Sequence, residues 1–311
     1  MKVLLASHWV DQFMDELKAE FPDVDFVTAD DPLDIAEAEV AFGPVPEEIF
    51  MRAESLCWIQ SSSAGVEWMR NTPSLLNSDV MVTNTRGAHA TTIAEHAFGM
   101  LVFLARDFAD LYESQKRHAW EKPPRATVGL AGLTMGIIGL GQIGRAIASR
   151  AKAFEMDVIA VDLHPVAKPD YVSELRQLDG LDDLMRRSDV VVVATPITDE
   201  TRGMVAEAQL RLMKPDAYLL VMSRGGIIDE PTLIDMLQSG KLAGAGLDVT
   251  SIEPLPADNP LWDAPNIIIT PHCSPTSGQT RSNVTNMMKT NLRHYLAGEP
   301  LENMVDKKLG Y

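Results

Sequence analysis

The fold of this chain is decided by the stretch Thr134-Met135-Gly136-Ile137-Ile138-Gly139-Leu140-Gly141-Gln142-Ile143-Gly144. An apolar run typical of a buried strand leads into the pattern G-x-G-x-x-G, and a helical pattern begins at once. In such a motif the first glycine permits a tight turn, the second lets the backbone approach a pyrophosphate, and the third allows the helix to pack closely on the strand. We therefore expect a dinucleotide to contact Gly139, Gly141, Gln142, Ile143 and Gly144, with its phosphates at the helix N-terminus.

An acidic residue supports this prediction. Asp162 ends the next strand pattern, and its distance from Gly144 along the chain is close to the roughly 20 residues expected for a carboxylate that binds the adenosine ribose. The 2′-phosphate of NADP would be repelled by that carboxylate. Residues 163–166 contain no arginine, and Lys168 is the nearest cation along the chain. The pattern therefore predicts NAD as the cofactor.

Strand and helix patterns alternate on both sides of this stretch, which predicts parallel sheets covered by helices. The predicted strands are Val3–Ala6, Glu39–Phe42, Leu56–Gln60, Val80–Thr83, Thr134–Gly139, Asp157–Val161, Asp189–Ala194, Ala217–Met222, Gly244–Asp248 and Asn266–Thr270. The predicted helices are Val10–Ala19, Glu47–Ala53, one long helix over Thr91–His118, Ile143–Ala153, Leu181–Arg187, Thr232–Ser239 and Ser277–Leu296. A length of 311 residues favours two domains over one.

Composition excludes several classes of function. The net charge of −17 argues against non-specific binding to nucleic acid and to an anionic membrane surface. No apolar run approaches the roughly 18 residues that cross a bilayer, and the first eight residues resemble a strand and not a secretory signal, so we expect a cytoplasmic protein. The two cysteines form no Cys-x-x-Cys pair and the histidines are scattered, which predicts no metal site. Cys57, within an apolar run, is expected in the core.

Three polar residues follow predicted strand ends, where ligands gather in sheets of this kind. They are Arg224, Glu253 and His272. Histidine can supply a proton to a carbonyl oxygen that gains charge as hydride arrives. A neighbouring carboxylate would favour the imidazolium and orient the ring, and arginine can hold a substrate carboxylate through paired hydrogen bonds. Each residue alone also fits a surface role; their joint placement favours ketone reduction.

The order of seven segments makes the chain resemble the D-isomer-specific 2-hydroxyacid dehydrogenases, a family that includes phosphoglycerate, glyoxylate/hydroxypyruvate and D-lactate dehydrogenases. The segments are Asn84-Thr85-Arg86-Gly87, Ile93-Ala94-Glu95-His96, the glycine motif with Asp162, Ala194-Thr195-Pro196, Ser223-Arg224-Gly225-Gly226, Gly246-Leu247-Asp248-Val249 with Glu253-Pro254-Leu255, and Thr270-Pro271-His272. The resemblance implies hydride transfer between NAD(H) and C2 of a small D-2-hydroxy acid or 2-keto acid.

The resemblance also implies roles for individual residues. His272 would be the general acid and base with Glu253 as its partner, and Arg224 would bind and polarise the 2-keto acid. The implied cofactor contacts beyond the glycine motif and Asp162 are Thr195, Pro196, Ser223, Arg224, Asp248 and His272. The implied substrate contacts are Arg224, His272 and the backbone N–H groups of Ser63, Ala64 and Gly65. The helical His96 carries no implied role and is expected at an interface or in the core.

The family architecture places a Rossmann cofactor domain, residues 99–273, inside a flavodoxin-like substrate domain, residues 1–98 plus 274–311. Both domains are α/β with doubly wound parallel sheets, the cleft between them closes on the substrate, and members commonly form homodimers through the cofactor domain. The segment Cys273–Gly278 departs from the small residues of many relatives, which leaves the substrate side chain open.

Two other functions stay open at this point. A formate dehydrogenase shares the fold, but its histidine pairs with glutamine and not with a glutamate such as Glu253. An NAD(H)-sensing protein similar to the C-terminal-binding corepressors keeps the dyad, but the chain shows neither long disordered flanks nor basic patches.

Overall fold

The chain forms two compact units, described in a computed structural model over residues 1–7 and 13–307. One unit comprises Met1–His89 with Ser277–Tyr311, and the other comprises Ala90–Thr276. The boundary expected after residue 98 falls inside the helix Ala90–Ala105, and the whole of that helix belongs to the second unit. The cofactor unit is thus continuous in sequence, whereas the other unit is made of two segments.

The first unit is built on a five-stranded parallel sheet. Its strands are β1 (Lys2–Leu5), β2 (Asp25–Thr28), β3 (Val40–Phe42), β4 (Trp58–Gln60) and β5 (Met81–Thr83), in the order β2-β1-β3-β4-β5. This order is that of flavodoxin-like sheets. Its helices are Met14–Glu20, Pro32–Glu37, Glu47–Phe50, Pro73–Leu76 and Gly278–Ala297.

The second unit is built on a seven-stranded parallel sheet. Its strands are β6 (Thr134–Ile138), β7 (Asp157–Val161), β8 (Glu174–Arg176), β9 (Val190–Val193), β10 (Tyr218–Val221), β11 (Gly244–Leu247) and β12 (Ile267–Ile269), in the order β12-β11-β10-β9-β6-β7-β8. The helices are Ala90–Ala105, Phe108–Lys116, Gln142–Ala153, Leu181–Arg187, Glu207–Leu210 and Glu230–Gln238. The order is that of a Rossmann sheet with one further strand, so the predicted fold class is confirmed.

Each sheet carries an apolar core on both faces, which explains the continuous apolar strands. In β9 all four residues are buried valines. Val190 and Val192 pack into one cluster, whereas Val191 and Val193 pack into the other, as the alternation of side chains along a strand requires. The carboxyl ends of the strands are thereby left for loops that can bind ligands.

The structure differs from the predicted elements where tertiary contacts override the local pattern. Strands β2 and β8 lie at sheet edges and lack a continuous apolar run, so the sequence did not reveal them. The long helix predicted over 91–118 is two helices, separated at Asp107, whose backbone is left-handed and whose buried carboxylate pairs with Arg125. The first residues of the helix predicted over 10–19, residues 10–12, lie outside the described residues.

One cysteine prediction is wrong. Cys57 directly precedes β4 and lies outside the strand, and its side chain is exposed, with its Sγ donating to the carbonyl oxygen of Ser55 at 3.4 Å. Among residues 1–7 and 13–307, no helix combines the length and apolar character needed to cross a bilayer. The cytoplasmic location and the lack of nucleic-acid partners stay predictions.

Candidate active site

The glycine motif forms the turn between β6 and the helix Gln142–Ala153. The backbone of Gly139 is left-handed, with φ of +95°. A Cβ at Gly144 would lie 2.0 Å from the carbonyl oxygen of Gly139, so the third glycine is required for the helix to approach the strand. At Gly141, which precedes the helix, an added Cβ would meet no atom within 4 Å. Gly141 and Gln142 are both exposed, so the start of the helix borders open space.

The motif lies at the point where the strand order reverses. Strands β6 and β9 are neighbours in the sheet, although two strands intervene in sequence. A Cβ at Gly139 would lie 2.8 Å from the backbone nitrogen of Thr195, which follows β9. The loop with Thr195, which is buried, and Pro196, which is exposed, thus packs directly on the glycine turn. Ligands of open α/β sheets bind at such a switch point.

Asp162 is tied to the glycine turn by backbone hydrogen bonds. Its Oδ2 accepts from the N–H of Leu140 at 2.7 Å, and its Oδ1 accepts from the N–H of His164 at 3.0 Å. The carboxylate is therefore held at the end of β7, and its contact with the ribose stays a prediction. Two cations donate to carbonyl groups of the segment that follows Asp162: Lys168 donates to Val172, and Arg145, from the helix Gln142–Ala153, donates to Ala167.

The observed loops fit a dinucleotide. Ser223 follows β10, is buried, and its Oγ finds no hydrogen-bond partner among the described residues. A buried hydroxyl without a partner is costly, and a bound polar ligand would satisfy it. Together with the open space at Gly141 and the uncapped helix N-terminus, this orphaned atom supports the predicted cofactor contacts.

His272 and Glu253 form the predicted pair. The Nδ1 of His272 lies 2.8 Å from Oε2 of Glu253, and both side chains are about one-third exposed. The second carboxylate oxygen of Glu253 accepts from the N–H of Thr250 at 3.1 Å. Because an ionised carboxylate only accepts, the proton of this pair sits on Nδ1, and Nε2 is the ring atom left to exchange a proton with a ligand.

Arg224 lies on the loop after β10. Its Nη1 donates to the carbonyl oxygen of Ser223 at 2.8 Å, which fixes one side of the guanidinium. The next residue must be glycine, because a Cβ at Gly225 would lie 1.9 Å from the carbonyl oxygen of Thr250. The arginine loop and the loop that leads to Glu253 therefore touch backbone to backbone.

Asp248 directly follows β11 and is buried. It accepts hydrogen bonds from the loop that carries His272. Its carboxylate accepts from Thr270 Oγ1 at 2.5 Å, from the N–H of Cys273 at 3.0 Å and from the N–H of Ser274 at 3.1 Å. Its backbone carbonyl accepts from the N–H of His272 at 2.8 Å. These donors compensate the burial of the charge. The predicted contact of Asp248 with the nicotinamide stays a prediction.

The sequence predicted no role for His96, but in the structure its side chain lies beside Thr270 and Asp248. His96 lies on the helix Ala90–Ala105, and its Nε2 is 3.0 Å from Thr270 Oγ1 and 3.8 Å from Asp248 Oδ1. No spacing signal could have shown this, because His96 and Thr270 are 174 residues apart. Close packing of the helix on the sheet accounts for the contact: a Cβ at Gly246 would lie 3.0 Å from Met100 Sδ.

Three of these side chains have the chemistry of metal ligands. His96, Asp248 and Cys273 each offer one ligand atom, and the three atoms lie within 4.8 Å of one another. However, Oδ1 of Asp248 already accepts hydrogen bonds from Thr270 and from two backbone N–H groups. Protein donors thus satisfy the carboxylate of this cluster, and the lack of a metal site stays a prediction.

The predicted substrate loop belongs to the other unit. The N–H of Ser63 donates to Ser61 Oγ at 3.1 Å, and the N–H of Gly65 donates to Ser63 Oγ at 3.2 Å. Asn84 Nδ2 donates to the carbonyl oxygen of Ala64 and holds the loop. Of the three predicted amides, only that of Ala64 has no acceptor among the described residues.

The family model described as "D-isomer specific 2-hydroxyacid dehydrogenase, NAD binding domain" matches residues 98–274. A glyoxylate reductase from Korarchaeum cryptofilum is 35% identical over 271 residues, which cover 86% of this chain and 81% of the relative. The chain spans about half the length of the D-3-phosphoglycerate dehydrogenases it matches.

Solved structures agree over the whole chain. A D-isomer specific 2-hydroxyacid dehydrogenase family protein from Aeromonas salmonicida is 33% identical, with a TM-score of 0.85 and coverage of 98% of this chain and 99% of that one. A D-isomer specific 2-hydroxyacid dehydrogenase from Xanthobacter autotrophicus, in complex with NADPH and MES, is 29% identical, with a TM-score of 0.83 and coverage of 100% and 99%.

Proposed function

This chain belongs to the D-isomer specific 2-hydroxyacid dehydrogenase family, and from that premise we propose that it is an NAD-preferring reductase of small 2-keto acids with His272 as its acid. The family and the relatives make it an oxidoreductase that interconverts 2-hydroxy acids and 2-keto acids with a nicotinamide cofactor. The observation that carries the proposal is the 2.8 Å contact between His272 Nδ1 and Glu253 Oε2.

The dyad performs the proton transfer in this proposal. When bound, the nicotinamide supplies the hydride for reduction or accepts it in oxidation. His272 gives the proton on Nε2 to the carbonyl oxygen at C2 as that oxygen gains charge, and takes it back in the oxidative direction. Glu253 keeps the proton on Nδ1 and stabilises the imidazolium that is needed before each reduction.

Substrate binding uses groups that suit a carboxylate. Arg224 offers a planar guanidinium whose orientation the Ser223 carbonyl helps to fix. The loop Ser63–Gly65 offers backbone N–H groups, and the amide of Ala64 is the one whose donor is not used within the loop. We propose that Arg224 binds the substrate carboxylate, which lets a chain of net charge −17 take an anion, and the Ser63–Gly65 amides stay predicted substrate contacts.

The test is turnover with a panel of 2-keto acids. The similarity to a glyoxylate reductase and to a hydroxypyruvate reductase makes glyoxylate and hydroxypyruvate the first substrates to try. NADH oxidation should be measured as kcat/KM with each acid, and the product should be the D isomer. Tight NADH binding without turnover of any 2-keto acid would instead favour the NAD(H)-sensing function. NAD reduction by formate alone would favour a formate dehydrogenase.

We expect NADH to give a higher kcat/KM than NADPH, and Asp162→Asn to narrow the difference. The 2′-phosphate of NADPH would lie beside a carboxylate, and two unit charges about 4 Å apart in water repel by about 1 kcal/mol, which is roughly fivefold. Asn suits this test better than Ala, because its side-chain oxygen can still accept from the N–H of Leu140. Steady-state kinetics with both cofactors measures the effect.

Asp170→Asn is the matched control, since it removes an exposed carboxylate from the segment that follows. This control should leave the ratio of the two kcat/KM values unchanged. Because the Xanthobacter relative was solved with NADPH, the fold itself does not settle the cofactor. A wild-type preference for NADPH would refute the assignment to NAD.

We further propose a homodimer that forms through the cofactor unit. Phe108, Tyr112 and Trp120 are large apolar side chains exposed on one segment of that unit, and Trp120 is fully exposed. Exposed apolar groups that lie close together commonly mark protein–protein contacts. Trp120→Glu should therefore shift the chain from dimer to monomer in sedimentation equilibrium, whereas Met51→Glu, at an exposed site of the other unit, should not. A monomeric wild type would contradict the proposal.

A further inference from the structure

His96 is the side chain at the site that the proposed mechanism does not use. It comes from the helix Ala90–Ala105, whereas the residues it reaches come from β11 and the loop after β12. Its side chain is one-quarter exposed, so the hydrogen bond from Nε2 to Thr270 is shielded from most of the solvent. His96 thus contacts the loop that carries His272, which suggests that His96 helps to hold that loop in place.

The direction of the hydrogen bonds can be worked out. Asp248 is an acceptor when ionised, and Thr270 Oγ1 gives its single proton to Asp248 Oδ1 at 2.5 Å. The same oxygen can therefore only accept from His96, which must carry a proton on Nε2. The result is a directed chain from His96 Nε2–H to Thr270 Oγ1–H to the Asp248 carboxylate.

Asp248 in turn binds the backbone of His272 and of the two residues that follow it. Its carbonyl oxygen accepts from the N–H of His272, and its carboxylate accepts from the N–H groups of Cys273 and Ser274. The backbone of His272 is left-handed, with φ of +49°, a conformation that is unfavourable for a residue with a Cβ. Such a conformation persists only where neighbouring groups enforce it, and here Asp248 supplies the enforcing contacts.

We propose that His96 is a positioning residue of the reaction, which acts on His272 through Thr270 and Asp248; this inference rests on the function proposed above. The N–H of His96 fixes the hydroxyl of Thr270 and thereby the rotation of the Asp248 carboxylate. That carboxylate fixes the amides that follow His272 and so the direction of its ring. Without the donor on His96, the Thr270 hydroxyl loses the hydrogen bond that it accepts and keeps only the one that it donates to Asp248, so the loop gains freedom. Misplacement of a catalytic group by about 1 Å can cost roughly 10²-fold.

The first set of variants removes or restores the donor. His96→Leu keeps apolar bulk but has no N–H, and should lower kcat by roughly 10- to 100-fold with little change in the KM for NADH. His96→Gln places an amide N–H close to the position of Nε2 and should restore kcat to within a few-fold of wild type. Thr270→Val, which removes the next link, should reproduce the loss. Glu95→Gln, at an exposed neighbour on the same helix, is the matched control and should match wild type.

The second set asks whether His96 acts through His272. In a His272→Asn background, adding His96→Leu should cause no further loss, because the group that His96 positions is gone. A multiplicative loss in the double variant would show that His96 acts on its own and would overturn the proposal. Equal kcat for His96→Leu and wild type would overturn it too. So would failure of His96→Gln to restore kcat while the variant keeps the wild-type Tm.

The outcomes separate this inference from the proposed function. If His272→Asn keeps wild-type turnover, the assignment of the acid fails and the inference falls with it. If His272→Asn loses turnover but His96→Leu does not, only the positioning role fails. Tm and the Kd for NADH, measured by fluorescence on each variant, show whether a loss of kcat reflects unfolding or loss of cofactor, and the proposal requires both to stay near wild type.

Discussion

Replacement of His272 by asparagine or alanine is expected to lower kcat for 2-keto acid reduction by roughly 10²–10⁴-fold, the usual contribution of general acid–base catalysis. Asparagine is the more informative variant, because it tolerates the left-handed backbone observed here, with φ of +49°, and cannot transfer a proton. Loss of activity in that variant reports chemistry and not backbone strain. The measurement is steady-state NADH oxidation at saturating acid.

Glu253→Gln tests the other half of the dyad. Glu253 orients the ring of His272 by accepting from its Nδ1. Replacement of the carboxylate weakens this contact, so the ring is held less firmly and kcat for reduction should fall by roughly 10- to 100-fold. His118→Asn, at an exposed histidine that also has a left-handed backbone, is the control for both experiments. A kcat equal to that of wild type in Glu253→Gln would remove Glu253 from the mechanism.

Arg224→Lys should lower kcat/KM by roughly 10- to 100-fold, with KM raised and kcat reduced. The planar guanidinium can bind a carboxylate through two parallel hydrogen bonds, and an ammonium group cannot reproduce that geometry. The loss of one charge-assisted hydrogen bond of about 1.5–3 kcal/mol corresponds to this range. Kinetics with a small 2-keto acid measures the change.

The control for this prediction is Arg211→Lys. Arg211 is a surface arginine of the same unit, paired with Glu207 at 2.8 Å, and surface pairs of this kind contribute little to stability. Its kinetics should equal those of wild type. Wild-type kcat/KM in Arg224→Lys would show that Arg224 has a structural role and does not bind the substrate carboxylate.

Much of the fold and of the dyad could be predicted because the decisive signals are local. The glycine motif is a turn with strict steric requirements, and the contact between Gly144 and the Gly139 carbonyl shows that these requirements hold here. Buried parallel strands have continuous apolar runs, so β6, β9 and β10 could be read directly. The edge strands β2 and β8 carry mixed polar residues, and no local pattern distinguishes such segments from loops.

The features that the sequence did not reveal depend on partners distant in the chain. The break at Asp107 comes with a contact to Arg125, and the contact of His96 with Thr270 depends on how a helix packs across a sheet. The local hydrogen bonds that use the amides of Ser63 and Gly65 depend on the rotamers of serines, which a sequence pattern does not specify. Each of these needs three-dimensional positions, and a single sequence does not contain them.

The backbone contact at Gly225 has a consequence for attempts to redesign this protein. Because the Cβ position of Gly225 is filled by the carbonyl of Thr250, the loops that carry Arg224 and Glu253 cannot be lengthened or repacked independently. An insertion engineered into either loop would displace the other, so libraries aimed at new substrates would lose most members that vary these segments. Diversity is better introduced by substitution at Thr276, which is exposed, because the amides of Cys273 and Ser274 in the same segment bind Asp248.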